Sequence, residues 1–207
     1  MDNLAAAGLI LASASPRRRT LLESVGLRPT VMAADIDETV PNTEPPVAAL
    51  RRLAEAKADA VYVQAVAANT SHRALLAADT GVLVDGRLLG KPSDAADAAR
   101  MLRALRGRTH HVVTAVCLIA IERNERLVTH ESTALRFRRY SDSLIAGYAA
   151  SDEPKDKAGA YAIQGVGALL CEAMFGSWSN VVGLPVERLP DWFRTVGLEL
   201  EAFLVDL

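Results

Sequence analysis

Leu9-Ile10-Leu11-Ala12-Ser13-Ala14-Ser15-Pro16-Arg17-Arg18 is the stretch on which the fold turns. Its first four residues are apolar and too few for a helix of their own, which reads as a short buried strand. Ser15 suits a helix N-cap, and Pro16 suits the first helical position, where its missing N–H would have no partner anyway. Leu21, Leu22 and Val25 then fall on one helical face, and Gly26 stands where a helix closes on a left-handed glycine. A strand running straight into a helix is the unit from which α/β sheets are built. Composition agrees: of 207 residues 50% are hydrophobic and only 5% aromatic, so the core is aliphatic and suits helices and strands alike.

Outward from that unit, Pro45-Pro46 opens a second helix to about residue 68, with Val47, Leu50, Ala54 and Val61 as its apolar stripe and Lys57 on or near the edge. Residues 75–78 read as a buried strand ending at Asp79. Residues 82–84 pair with Leu88-Leu89 across Asp85-Gly86, a strong hairpin signal. Ser93 reads as the N-cap of a helix over 94–105, with Gly107 beyond its end. Two long strands, 111–121 and 127–137, meet at Arg123-Asn124-Glu125, and Ser141 caps a helix over 142–150. Residues 180–185 read as a structural loop entering a last helix over 186–196, which Pro190 kinks or splits. No repeat or flexible linker interrupts the chain, so residues 1–207 read as a single unit with two lobes around a cleft.

A net charge of -2 gives the chain no overall attraction to nucleic acid or to an anionic membrane surface, so any anion site is built locally. Cys117 and Cys171 lie in apolar runs without metal-ligand spacing and read as buried, reduced thiols. Residues 4–14 are mostly apolar, but they carry no basic start, follow Asp2 and run into Pro16-Arg17-Arg18-Arg19, which reads as a strand rather than a signal peptide. No apolar run reaches the roughly 20 residues of a spanning helix. The expectation is a soluble, cytoplasmic protein with neither nucleic acid nor membrane as partner.

Three segments carry candidate chemistry. After the first strand, Ser13, Arg17 and Arg18 surround a helix start, where cations face the positive end of the helix dipole unless an anion lies between them. A solvated basic helix start would carry the same residues. Asp79-Thr80, followed by Gly90-Lys91-Pro92, puts a carboxylate at a strand end and a lysine across the hairpin. That pair suits metal or water placement, or an ion pair of structural use. Glu38, in Asp35-Ile36-Asp37-Glu38, is a second carboxylate, ordinarily a surface acid. Between Glu153 and Gly165, Lys157 offers a point charge and Gln164 both a donor and an acceptor for a base edge or phosphate, which makes them candidate substrate-binding residues, although a turn-rich loop would explain the glycines alone.

In this order, the segments Leu11-Ala12-Ser13-Ala14-Ser15-Pro16-Arg17-Arg18, Ala78-Asp79-Thr80, Gly90-Lys91-Pro92, His111-Val112-Val113-Thr114, Asp156-Lys157-Ala158-Gly159 with Ile163-Gln164-Gly165, and Asn180-Val181-Val182-Gly183-Leu184-Pro185 resemble the Maf family of nucleotide pyrophosphatases. The resemblance covers about residues 9–205. It implies a mixed, elongated central sheet flanked by helices, similar to that of inosine triphosphate pyrophosphatases. It implies hydrolysis of a nucleoside triphosphate to its monophosphate and pyrophosphate, with Mg²⁺ or Mn²⁺ held by Asp79 and Glu38. Ser13, Arg17 and Arg18 then match the phosphate-binding set, and Asp79, Lys57 and Lys91 the catalytic carboxylate and two lysines on the triphosphate. Thr80, Gln164 and Arg17 match positions tied to substrate choice. The loop that contains Lys157 is similar to that of the subgroup acting on dTTP and UTP rather than on 7-methylguanosine triphosphate. Gly81 and Ser151-Asp152 depart from the usual pattern. The family is also associated with division-protein binding, so the alternatives are a 7-methylguanosine triphosphate pyrophosphatase and a non-enzymatic nucleotide-binding regulator of cell division; a homodimer is left open.

Overall fold

The computed structural model describes residues 8–41 and 43–205. Residues 1–7, on which the signal-peptide reading partly falls, lie outside the described residues. The strands are β1 (Leu9–Leu11), β2 (Thr30–Val31), β3 (Ala74–Val84), β4 (Arg87–Leu89), β5 (Thr109–Ala120), β6 (Glu125–Phe137) and β7 (Cys171–Phe175). They form one mixed sheet in the order β2-β1-β3-β5-β6-β7, with β4 pairing β3, flanked by helices as the resemblance implies. The helices are α1 (Pro16–Ser24), α2 (Pro46–Ala67), α3 (Ala95–Leu105), α4 (Asp142–Ala149), α5 (Trp178–Val182) and α6 (Leu189–Thr195). No helix among the described residues is long and apolar enough to cross a membrane.

The chain divides into two compact units, and the division falls inside its three longest strands, after Asp79 in β3, Thr114 in β5 and His130 in β6. The first unit takes residues up to Asp79, Ala115–His130 and Gly183–Leu207. There β1 is parallel to both β2 and β3, with Leu9, Ile10 and Leu11 opposite Ala74, Leu75 and Leu76. All six of those side chains are buried, the continuous apolar pattern expected of strands covered on both faces. Helix α2 buries Leu50, Leu53, Ala54, Ala58 and Val61 at helical spacing, and Lys57 sits inside that stripe rather than on its edge. Gly26, at φ 82°, closes α1 as expected. The last helical stretch is split at Leu189: a 3-10 turn over Val186–Arg188 precedes α6, and Pro190 falls in the first turn of α6, where its missing N–H leaves no bond unmade.

The second unit takes Thr80–Thr114 and Glu131–Val182. Asp85 at φ 50° and Gly86 at φ 71° make the left-handed pair that a two-residue hairpin needs, setting Val84 opposite Arg87 and Val82 opposite Leu89. The N-cap of α3 is Asp94 instead of Ser93: the Asp94 carboxylate accepts from Asp97 N at 2.7 Å, while Ser93 N donates to the Asp97 carboxylate at 3.1 Å. A carboxylate at each end of the first turn satisfies donors that a serine there would leave to one hydroxyl. Ser141 caps α4 through Leu144 N, as read. Residues 180–185 are not a simple loop, since α5 runs through Val182. Val82, Leu102, Leu105, Leu135, Phe137, Ile145 and Tyr161 belong to one buried apolar cluster. Both cysteines are free, and burial pushes the Cys117 thiol up to about 12, leaving it inert.

Candidate functional site

In the first unit, β1 delivers Ser13 just beyond its end, and α1 delivers Arg18 one turn into the helix. Both are buried, at 7% and 9% exposure. Ser15 is the N-cap of α1 but makes no side-chain cap bond. Its own N–H donates to Ser13 Oγ at 3.3 Å, and Arg18 Nη1 donates to the same oxygen at 2.9 Å. Arg18 Nε donates to Gly183 O at 2.9 Å. Two bonds of a rigid fork fix the plane of the guanidinium. Burial, and then the Arg17 charge, pull the Arg18 pKa down from its usual value, against Asp79 and Glu38, which push it up. The group stays cationic all the same, because arginine does not deprotonate in proteins. A buried cation next to a second cation, at a helix start with no acid in its first turn, is a place that favours an anion.

Lys57 and Asp79 face each other from α2 and β3. Lys57 Nζ lies 2.5 Å from Asp79 Oδ1 and 2.7 Å from Glu38 Oε1. One ammonium therefore bridges both predicted metal carboxylates, and they converge on a single point. The structure corrects the view of Asp79 as a strand end, because β3 continues five residues past it to Val84. Asp79 is placed by the middle of a buried strand, a stiffer mount. Its ion pair is with Lys57, a partner that the hairpin reasoning did not name. Oxygen donors of this kind suit Mg²⁺ or Mn²⁺, which take one or two protein carboxylates and fill the remaining positions with water and phosphate. Among the described residues no group of three or more His, Cys, Asp and Glu side chains is placed for a metal, so a more enclosed site of the zinc type has no ligand set there.

The second unit carries the remaining predicted residues. Thr80 Oγ1 lies 2.9 Å from Thr114 Oγ1, and Thr114 Oγ1 donates to Asn180 O at 3.0 Å. With the Thr114 proton committed to a carbonyl, the hydrogen between the two threonines comes from Thr80. Asn180 is fully buried; its amide donates to Val112 O at 3.0 Å and Thr133 Oγ1 at 2.9 Å, and its Oδ1 is without a partner. Lys91 is exposed in the coil after β4, and Gln164 is exposed before a 3-10 turn over Gly165–Leu170. Lys157 is turned back onto its own loop, donating to Glu153 O and Asp156 Oδ1 at 2.6 Å each. The loop is held by Glu153, whose carboxylate accepts from Tyr148 Oη at 2.9 Å, Gly167 N at 2.9 Å and Val166 N at 3.1 Å. These donors outweigh burial and hold the Glu153 pKa below its usual value.

Sequence reasoning missed Gly183, Thr114 and Asn180 as site builders. All three stood in quoted motifs, and for Thr114 the signal was a polar residue in an otherwise apolar run. Gly183 contributes through its backbone carbonyl, which has no sequence signature. A cavity of about 430 Å³ in the second unit is lined by Arg106, Gly107, Arg108, Arg139 and Tyr140, none of them a predicted site residue. Arg106 and, outside the cavity lining, Arg103 share Asp142 at 3.2 Å each, cations in place at the carboxyl end of α3.

The family model described as Maf-like protein matches residues 8–196. A Moorella thermoacetica protein named dTTP/UTP pyrophosphatase is 47% identical over 192 residues, covering 93% of this chain and 96% of that protein. Proteins of the same name from Citrifermentans bemidjiense and Chromobacterium violaceum are 46% and 45% identical, covering 91% and 93% of this chain and 95% and 96% of those proteins. The solved structure titled the Staphylococcus aureus Ham1 protein aligns at 15% identity and a TM-score of 0.46, covering 95% of this chain and 93% of that one. A score of that size leaves the fold to be read from the sheet and helices themselves.

Proposed function

The chain belongs to the Maf family, and from that premise we propose that it is a dTTP/UTP pyrophosphatase: a hydrolase that cuts the nucleotide between its α and β phosphorus atoms. Water adds to the α-phosphorus, the bond from that phosphorus to the bridging oxygen breaks, and the products are the nucleoside monophosphate and pyrophosphate.

The observation that carries the reading is the run of fixed charge in the first unit. The Arg18 guanidinium is pinned by Ser13 and Gly183, and the Lys57 ammonium bridges Glu38 and Asp79. Phosphoryl transfer asks the protein mainly to position the chain and to meet its charge with groups already in place. Arg17, Arg18 and the start of α1 bind the phosphates, and Ser13 holds the Arg18 fork in plane. Asp79, on its strand, orients the attacking water toward the α-phosphorus. Glu38 and Asp79 are the residues that would hold Mg²⁺ or Mn²⁺, which supplies charge neutralisation of the phosphates and ordered water. Lys57 meets the charge that builds on the departing pyrophosphate, and by resemblance Lys91 is a second lysine on the triphosphate. Thr80 and Gln164 set the choice of base.

The test is product analysis with dTTP, UTP and 7-methylguanosine triphosphate in Mg²⁺. Monophosphate plus pyrophosphate, faster from dTTP and UTP, is the expected result. Diphosphate plus orthophosphate would overturn the reaction; preference for the methylated purine would overturn the substrate. Nucleotide binding without turnover would favour the regulator reading instead.

A further inference from the structure

Glu38 and Asp79 converge on one point, and a cation of this chain already stands there. The Lys57 ammonium lies 2.7 Å from Glu38 Oε1 and 2.5 Å from Asp79 Oδ1. It is held in the apolar stripe of α2, with 8% of the residue exposed, between Leu53, Ala54, Ala58 and Val61, all buried. Two carboxylates close enough to share one ammonium repel each other strongly once it leaves, unless another cation takes its place. An ammonium and a divalent ion cannot both occupy the position between the two oxygens. The lysine, however, has a flexible four-carbon stem that can carry its charge a short way to a new anion.

We propose that Lys57 is a resident counter-cation of this site, occupying the cation position between Glu38 and Asp79 until the triphosphate draws it away, so that metal binding is weak without nucleotide and tight with it. The inference rests on the reading of Glu38 and Asp79 as the metal-holding carboxylates. It gives Lys57 two posts: the carboxylates in the resting protein, and the phosphates in the loaded one. Its consequence is order. An anion that takes the ammonium frees both carboxylates, and a divalent ion bound there releases the ammonium to the anion. By linkage, each tightens the other by the same factor. A resting protein arranged this way keeps its acids paired and does not collect stray divalent ions.

The test is binding of free Mn²⁺, followed by electron paramagnetic resonance, to the full-length protein and to Lys57→Met, which keeps the length of the side chain and loses the charge. The expected result is Mn²⁺ binding on the order of tenfold tighter to Lys57→Met than to the native protein, within the usual range of such couplings. Equal or weaker binding by the variant overturns the proposal. Glu38→Gln on top of Lys57→Met should remove the gain; if the gain survives, the ion is not between these carboxylates and the proposal falls. A measurement on the native chain avoids any folding defect of the variants. Labelling of Lys57 by an amine-reactive ester, located by mass spectrometry, should rise when Mn²⁺ is added without nucleotide, and unchanged or reduced labelling overturns the displacement. None of these readings uses turnover. Failure of the pyrophosphatase reading would appear instead as the wrong products from the native protein, whatever Mn²⁺ does.

Discussion

The charges of the first unit and the polar groups of the 153–167 loop are both built from residues that bind anions or bases elsewhere in chemistry, yet their partners differ in kind. Arg18 and Lys57 are rooted in α1 and α2, and their heads are held by residues far away in sequence, Gly183 for one and Asp79 for the other. Lys157 bonds within its own loop, to Glu153 O and Asp156 Oδ1. Its loop is tied down by Glu153 from within and by Tyr161, which meets His110 Nε2 at 2.8 Å. A charge held by partners far off in sequence is rooted in the scaffold and serves electrostatics, whether it stays with them, as the Arg18 fork does, or passes to the phosphates, as proposed for Lys57. A charge that closes a loop serves the loop, and its removal acts on shape.

The largest effect that would break this contrast is at Asp79. Asp79→Asn keeps size and most hydrogen bonding but removes the charge, so pyrophosphate release should fall on the order of 10²-fold to 10⁴-fold. Lys57 would keep Glu38 as partner, and the thermal midpoint should move by only a few degrees. Near-normal turnover in the folded variant would remove Asp79 from the chemistry and reduce its pair with Lys57 to a structural one.

On the loop side, the strongest lever is His110. It is 1% exposed and packs edge-on against Phe137 and Tyr161 at 4.6 and 5.5 Å between ring centres. Burial first, and then neighbouring His111, lower its pKa to about 4. The unfolded chain takes up the proton near pH 6.5, the folded one only near 4. Stability from this group is therefore complete above pH 6.5 and is lost as pH falls from 6.5 to 4, on the order of 3 kcal/mol in all. Denaturant titrations of the native protein should show that slope. His110→Phe, which cannot take the proton, should flatten it, and an unchanged slope would move the acid sensitivity to other groups.

A milder change sharpens the first-unit half. Arg18→Lys keeps the charge but gives up the fork whose Nε and Nη1 reach Gly183 O and Ser13 Oγ. A hydrogen bond to a charged group lost without replacement is worth about 1.5 kcal/mol or more, so KM for dTTP should rise about tenfold with kcat much less affected. An unaltered KM would mean that the fixed plane of Arg18 does not matter to the phosphates.

How much of this was legible in the chain depends on how far each partner lies. The βα start, the Asp85-Gly86 hairpin and the Ser141 cap were readable because each is settled within a few residues by turn chemistry and capping. Lys57 stood at helical spacing among Ala54, Ala58 and Val61, and a lysine there is a buried lysine. Its partner could not be read, because Asp79 is 22 residues on. Asp79 reads as a strand end because a charge after four apolar residues ordinarily marks one. The strand runs on to Val84, and its last residues, 82–84, pair with the hairpin arm. Ser93 lost the capping position to Asp94 within one residue, the scale on which capping rules alone are weakest. Asn180 reaches Val112 and Thr133, 68 and 47 residues back, contacts that no local pattern encodes.

The smallest expected effect falls on Lys157, which the sequence placed in the substrate set. Its ammonium has two acceptors at 2.6 Å inside the loop, and 17% of its side chain is exposed. Binding a nucleotide would require trading both acceptors for the ligand, so little of the ligand's gain would be net. Lys157→Ala should cost roughly 0.5 kcal/mol of stability, as surface-type pairs do, and change KM for dTTP by less than about threefold. Gln164→Ala makes the counterpart, since Gln164 is exposed and its side chain makes no cap bond to the turn that follows. Its loss should leave stability alone and shift the ratio of kcat/KM between UTP and CTP, two pyrimidines that differ in the donors and acceptors at one edge of the ring. Measured side by side, the two variants separate loop from contact. A tenfold rise in KM for Lys157→Ala at constant stability would show that the ammonium does leave Glu153 and Asp156 for the nucleotide. The 153–167 loop would then carry a charge that serves the ligand, as the charges of the first unit do.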